Sequence, residues 1–139
     1  MCVSKAPLEA FETDLGNAPD LFPICSVLAA FCDGRSSLCG VNRLRAKESD
    51  RAAAIMEMLD GLGVEAAIED DTLFINGQTL TKRLVNGNLL KGGLFRTHHD
   101  HRMAMALKIA SMGAESQIEL DDPECVAKSF PAFWEMFDY

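Results

Sequence analysis

The chain has 139 residues, 48% of them hydrophobic and 24% charged, a composition that fits one globular domain with a real core and excludes a disordered or fibrous chain. A formal net charge of −8 argues against general nucleic-acid binding, which wants a basic face, though not against a small anionic ligand held by a local cluster of cations. No apolar run approaches the roughly 18–20 residues of a membrane span, and residues 1–5 carry no basic stretch followed by an apolar one, so neither a membrane partner nor a secretory signal is expected. The five cysteines are odd in number and contain no C-x-x-C pair. They read as reduced thiols, and a cytoplasmic location is expected.

Residues 8–14 alternate apolar and polar and read as a strand, followed by a turn at Gly16-Asn17-Ala18-Pro19. Asp20 opens an apolar run, residues 21–31, with Pro23 in its first turn, where a missing N–H is harmless; apolar on nearly all sides, it predicts a buried helix. Gly34 closes that segment and residues 36–41 form a short strand. A helix follows over 48–62, with Ile55, Leu59 and Leu62 on one face, Glu57 and Asp60 toward water, and Gly61 and Gly63 as its stop. Residues 64–68 and 72–75 make a hairpin around Glu69-Asp70-Asp71. Beyond the turn-rich stretch 87–93, residues 94–99 are a candidate strand, Asp100 starts a second buried helix over 101–112, 117–120 is a strand, and 126–137 is helical. Alternating strands and helices predict an α/β fold.

A near-repeat runs through this order. Asp20 lies 27 residues before Lys47, and Asp100 lies 28 before Lys128. Each Asp begins an alanine-rich helix that ends at a glycine, Gly34 or Gly113. A short strand comes next, and each Lys then sits at the mouth of a further helix. Four coincident features at an offset of about 80 residues favour duplication, with units of about 8–78 and 79–139.

Three clusters carry possible chemistry. Arg45-Ala46-Lys47-Glu48-Ser49-Asp50-Arg51 crowds cations and acids at a helix entrance. Acids there are ordinary, since the helix dipole favours them; Lys47 and Arg51, which share a face at i, i+4, are not. They form either a solvated ion-pair lattice or an anion site built from helix N–H groups and two cations. His98-His99-Asp100-His101-Arg102 gathers all three histidines. A metal site would need carboxylates to complete it, and none is expected; the anion reading places His101 as a proton donor. Asp122–Pro131 sets Lys128 beside Ser129, a candidate N-cap, and Asp20 alone reads first as an N-cap.

Together, the stretches NAPDLFP at 17–23, LRAKESDR at 44–51, DHRMAM at 100–105 and KSFPAFW at 128–134 resemble the 5-enolpyruvylshikimate-3-phosphate (EPSP) synthase family, in its order and approximate spacing from about Phe11 onward. KESDR with DHRMAM also separates the chain from the UDP-N-acetylglucosamine enolpyruvyl transferases. The resemblance implies the enolpyruvyl transferase fold, whose two similar domains repeat βαβαββ units with helix N-termini pointing into a cleft; this chain resembles the last two units of the C-terminal domain, with the N-terminal domain as its missing partner. It implies phosphoenolpyruvate and shikimate 3-phosphate as substrates, and no cofactor. It makes Asp20 the proton acceptor and a shikimate 3-phosphate contact, with Lys47 at the same substrate. Arg43 stands four places before Lys47, where some members carry an Asn that contacts shikimate 3-phosphate, and Asn42 is beside it. Arg51, Arg102 and Lys128 match the cations that grip phosphoenolpyruvate, and Glu48 and His101 match residues of proton transfer. Lys47, Arg51, Arg102 and Lys128 are expected on one concave face. Two other readings stay open: a non-catalytic piece with weak anion binding, and a metal-dependent hydrolase.

Overall fold

The computed structural model describes residues 1–45 and 50–137. Strand β1, Glu12–Asp14, leads through a 3-10 turn at Pro19–Leu21 into helix α1, Phe22–Ala30. The helix returns the chain to β2, Gly34–Cys39, which lies parallel to β1. A short helix, α2 at Asn42–Arg45, follows. Helix α3, Arg51–Leu62, is capped by the Asp50 carboxylate, which accepts from Ala53 N at 3.0 Å, and stops at Gly63 in the left-handed region, φ 78°. The hairpin β3, Glu65–Glu69, and β4, Thr72–Gly77, turns on Asp70 at φ 52°. Strand order is β1-β2-β4-β3, with β4 antiparallel to both neighbours. The alternation along β4 sends Leu73 and Ile75 into the core.

Helix α4, Leu80–Asn86, comes next, capped by Thr79 and stopped at Gly87. Strand β5, Gly93–Phe95, helix α5, His101–Ala110, and β6, Ile118–Leu120, make a second parallel pair joined by a helix. Glu12 lies opposite Ser37, and Gly93 opposite Ile118, so the paired residues are 25 apart in both. After β6 the chain forms 3-10 turns at Pro123–Lys128 and Trp134–Phe137. Helices α1 and α3 pack on the first sheet and on each other, and α5 packs on α1. Phe22, Leu38, Leu59, Leu73 and Leu107 are fully buried in one shared core. Each such side chain contributes about 1.5–3 kcal/mol relative to exposure.

The mixed α/β architecture is the one expected, with local corrections. Residues 98 and 99 are not strand: His98 and His99 have φ of 53° and 55°, outside the extended region. The segment 126–137 is not one helix, because Pro131 lies in its middle and breaks the ladder. Ser129 is no N-cap; it stands at the C-terminal end of a turn, where its hydroxyl donates to Val126 O at 3.4 Å. Helix α1 is not buried on all sides, since Ile24 and Leu28 stay exposed.

Arg83, only 5% exposed, fastens α4 to the end of α1: it donates to Ala30 O at 3.0 Å and to Asn88 O at 3.1 Å. A cation there complements the helix dipole. Its Nε is buried without a partner among the described residues, and burial lowers its pKa. All five cysteines are free thiols; burial pushes those of Cys25, Cys32 and Cys125 up. No helix among the described residues is long and apolar enough to cross a membrane.

Candidate active site

Helices α3 and α5 begin close to the turn that precedes α1, and their first residues meet there. Asp100 caps α5 by accepting from Arg102 N at 2.9 Å. This fixes the first turn of α5 and sets His101 and Arg102 at its mouth. Arg51 opens α3. Its Nη1 donates to Asp20 Oδ1 at 3.0 Å, and its Nε lies 3.6 Å from Asp100 Oδ2. Arg102 Nη2 reaches the other oxygen of Asp20 at 3.2 Å. One carboxylate thus holds two guanidiniums, and one guanidinium spans two carboxylates.

The N-cap reading of Asp20 is overturned by this arrangement. Neither the 3-10 turn nor α1 is capped by a side chain, and the Asp20 carboxylate is engaged by arginines instead. The Asp20 side chain is 47% exposed, and partly exposed ion pairs of this kind contribute only about 0.2–1 kcal/mol each. An arriving phosphate or carboxylate therefore meets little resistance in competing for the guanidiniums, which it binds through paired, charge-assisted hydrogen bonds.

The other predicted residues are placed less tightly. His101 is half-buried between Asp100 and Arg102. Lys128 is exposed at the end of the Pro123–Lys128 turn, which packs against α5, and Arg43 is exposed on α2. Lys47 and Glu48 lie outside the described residues. Arg51 and Arg102 are brought together; the shared concave face proposed for all four cations extends beyond what the contacts join.

The remaining histidines are engaged separately. His98 Nε2 lies 3.1 Å from Glu57 Oε2, and His99 Nδ1 lies 2.6 Å from Asp122 Oδ2. No group of three or more His, Cys, Asp or Glu side chains suited to a metal ion occurs among the described residues.

A contact unforeseen from the sequence positions this loop. The Asp121 carboxylate accepts from Thr97 N at 2.8 Å and from Thr97 Oγ1 at 2.9 Å, and Thr97 is fully buried. Thr97 Oγ1 in turn accepts from His99 N at 3.3 Å, so the end of β6 holds the approach to Asp100. The backbone N–H of Thr97 is the largest of the causes that hold the Asp121 carboxyl below its ordinary pKa. A lowered folded-state pKa stabilises above the unfolded value, near 3.9, and that contribution is lost as pH falls through the folded value. Asp121→Asn is therefore expected to be less stable than the parent chain at pH 7, with the gap closing below about pH 4. Urea midpoints from pH 7 to pH 3 measure this; a gap independent of pH would remove the charge from the account.

The fold is that of the enolpyruvyl transferases: the enolpyruvyl transferase NikO from Streptomyces tendae superposes over 95% of this chain with a TM-score of 0.68 at 21% identity. The chain belongs to the EPSP synthase family, whose model, described as EPSP synthase (3-phosphoshikimate 1-carboxyvinyltransferase), matches residues 1–137. The 3-phosphoshikimate 1-carboxyvinyltransferase of Clostridium acetobutylicum is 41% identical over 130 residues, covering 94% of this chain and 28% of the relative. The EPSP synthase of Acinetobacter baumannii superposes with a TM-score of 0.79 at 29% identity, over 95% of this chain and 30% of that one. The chain thus spans somewhat under a third of the proteins it matches.

Proposed function

We propose that this chain supplies one wall of an EPSP synthase active site. The whole enzyme moves the enolpyruvyl group of phosphoenolpyruvate onto the 5-hydroxyl of shikimate 3-phosphate and releases phosphate. The reading is carried by the meeting of Arg51 and Arg102, from the starts of two helices, on Asp20. Two polyanionic substrates need converging cations, and the attacking hydroxyl needs a carboxylate to take its proton.

In this mechanism Asp20 accepts the hydroxyl proton while oxygen bonds to the central carbon of phosphoenolpyruvate. An acid, Glu48 or His101, protonates the methylene carbon. The tetrahedral adduct then loses phosphate as the new methyl group returns a proton, restoring the double bond. Arg51, Arg102 and Lys128 hold the phosphate and carboxylate of phosphoenolpyruvate; Lys47, Asp20 and Arg43 face shikimate 3-phosphate. The rest of the enzyme, including an N-terminal domain, supplies the opposite wall, in the cytoplasm and without a cofactor.

A second reading, that the chain by itself only binds anions weakly, is favoured by the exposure of Asp20 and by the share of the relatives that the chain spans. Positioning two reactants can contribute roughly 7–11 kcal/mol to a rate, and one wall forgoes most of that. The chain alone is expected to release no phosphate above background at saturating phosphoenolpyruvate and shikimate 3-phosphate. Joined to the remainder of the Clostridium acetobutylicum relative, it is expected to turn over. Release by the chain alone that disappears in Asp20→Ala would refute the second reading; a folded, joined enzyme that releases none would refute the first.

A further inference from the structure

We infer that Asp121, just past β6, is a positioning residue: acting through Thr97, it sets the turn that aims Asp100, and with it Arg51 and Arg102, at phosphoenolpyruvate. The inference rests on the reading of those two arginines as the grip on that substrate.

The turn between β5 and α5 needs holding. His98 and His99 both have left-handed backbone, and such residues are costly and persist only where their surroundings fix them. The ring contacts of the two histidines are weak restraints. His99 is 82% exposed where it meets Asp122, and Glu57, the partner of His98, is 48% exposed. The buried restraint is Thr97. Its N–H and its hydroxyl both donate to Asp121 Oδ1, its hydroxyl oxygen accepts from His99 N, and its carbonyl accepts from Asp100 N at 3.0 Å. Every polar group of Thr97 is thus spent on Asp121 or on the turn. Asp121 donates its own N–H to Phe95 O at 3.1 Å, so the carboxylate is carried on backbone that is itself tied to β5.

Asp100 stands at the far end of these bonds, and both arginines register on it. Its Oδ1 accepts from Arg102 N, and its Oδ2 lies 3.6 Å from Arg51 Nε. A shift of the turn changes the separation and angle of two guanidiniums that must close on one anion together. Paired, charge-assisted hydrogen bonds are directional, and a misplacement of about 1 Å can cost a rate about 100-fold.

The first strand-helix-strand segment has a seam at the same place. Matching Glu12 with Gly93 and Ser37 with Ile118, as their strand pairings do, puts Gly16 in the position of Thr97 and Gly40 in that of Asp121. Gly16 and Gly40 meet through bare backbone: a Cβ on Gly40 would lie 2.6 Å from Gly16 N. That seam comes shortly before Asp20, and the latch of Thr97 and Asp121 shortly before Asp100. Each aspartate that contacts the arginines therefore follows a turn pinned at the end of the returning strand. In the first segment the pin is backbone; in the second it is made of side chains, so substitution can remove it.

Steady-state kinetics test this in the chain joined as one polypeptide to the remainder of the Clostridium acetobutylicum relative. Thr97→Val keeps the shape and removes the hydroxyl bonds; Thr97→Ser keeps the hydroxyl. In Thr97→Val the KM for phosphoenolpyruvate is expected to rise at least about tenfold, with the KM for shikimate 3-phosphate within about twofold and kcat within about threefold of the parent, and Thr97→Ser is expected to restore it. Asp121→Ala, at an exposed position, is expected to act like Thr97→Val and serves in its place where the valine variant fails to fold. A rise shared equally by both substrates, a fall in kcat alone, or a lower melting temperature with both KM values unchanged overturns the inference. Where the joined parent releases no phosphate, the catalytic reading fails by itself, and binding of inorganic phosphate by the same proteins decides. Weakening in Thr97→Val that Thr97→Ser reverses leaves the positioning role standing; equal binding overturns it. A parent that neither turns over nor binds phosphate has no grip to be positioned, which overturns both.

Discussion

Asp20→Ala in the joined enzyme is expected to lower kcat by about 10²- to 10⁴-fold, the usual effect of removing a positioned general base. The same substitution in the chain alone is expected to tighten phosphate binding several-fold. Arg51 and Arg102 both spend donors on Asp20, at 3.0 and 3.2 Å. Without that carboxylate the cluster of Asp20, Asp100, Arg51 and Arg102 moves from balanced to net positive, and the freed N–H groups face the incoming anion. Asp20→Asn keeps the shape and removes the base, so it should match the loss of turnover with a smaller gain in binding. The two readouts moving in opposite directions separates proton acceptance from anion binding. Equal loss of phosphate affinity and of turnover would show that Asp20 acts only by holding the arginines in place.

Gly77→Ala is expected to destabilise the chain by roughly 3 kcal/mol or more, at the upper end of the cost of overpacking. A Cβ at Gly77 would lie 2.0 Å from Ala29 O and 2.4 Å from Cys32 O. Both are backbone atoms at the end of α1, so no side chain can swing aside. The same corner holds the bond from Gln78 N to Ala30 O and the grip of Arg83 on that carbonyl. A shift of β4 away from α1 disturbs all of these together. For a chain of this size the melting temperature should fall by about 10 °C. Gly87→Ala is the comparison: its φ of 68° imposes strain of about 1–2 kcal/mol, but nothing lies within 4 Å of the added atom. Thermal unfolding of both variants decides; a loss at Gly77→Ala no larger than that at Gly87→Ala would show that the end of α1 yields to the added atom and that the contact does not set the cost.

What the sequence disclosed was mostly local. The stop of α3 at Gly63, the hairpin around Asp70 and the start of α5 just after Asp100 each depend on a few adjacent residues, and all stand where the pattern put them. Helix α4 passed unread although Thr79 and Gly87 bracket it, because its apolar residues Leu84 and Val85 face solvent and leave no inward stripe. The site was legible in part. That Asp20 and the two arginines belong together followed from family resemblance, not from spacing, since Asp20 and Arg51 are 31 residues apart and no periodicity links them. The latch between Thr97 and Asp121 escaped for the same reason, being a contact across 24 residues between a loop and the end of a strand.

The left-handed backbone at His98 and His99 has a consequence for how this protein can diverge. Two successive non-glycine residues at φ of 53° and 55° sit immediately before the cap that aims Arg102. Valine, isoleucine and threonine are nearly barred from such a conformation, whereas asparagine, aspartate, histidine and glycine tolerate it. The mutational alphabet at these positions is therefore short for reasons unconnected with proton transfer. Relatives that exchange histidine for asparagine or glycine there would be obeying a rule of backbone shape, and such a swap would be no evidence of altered chemistry.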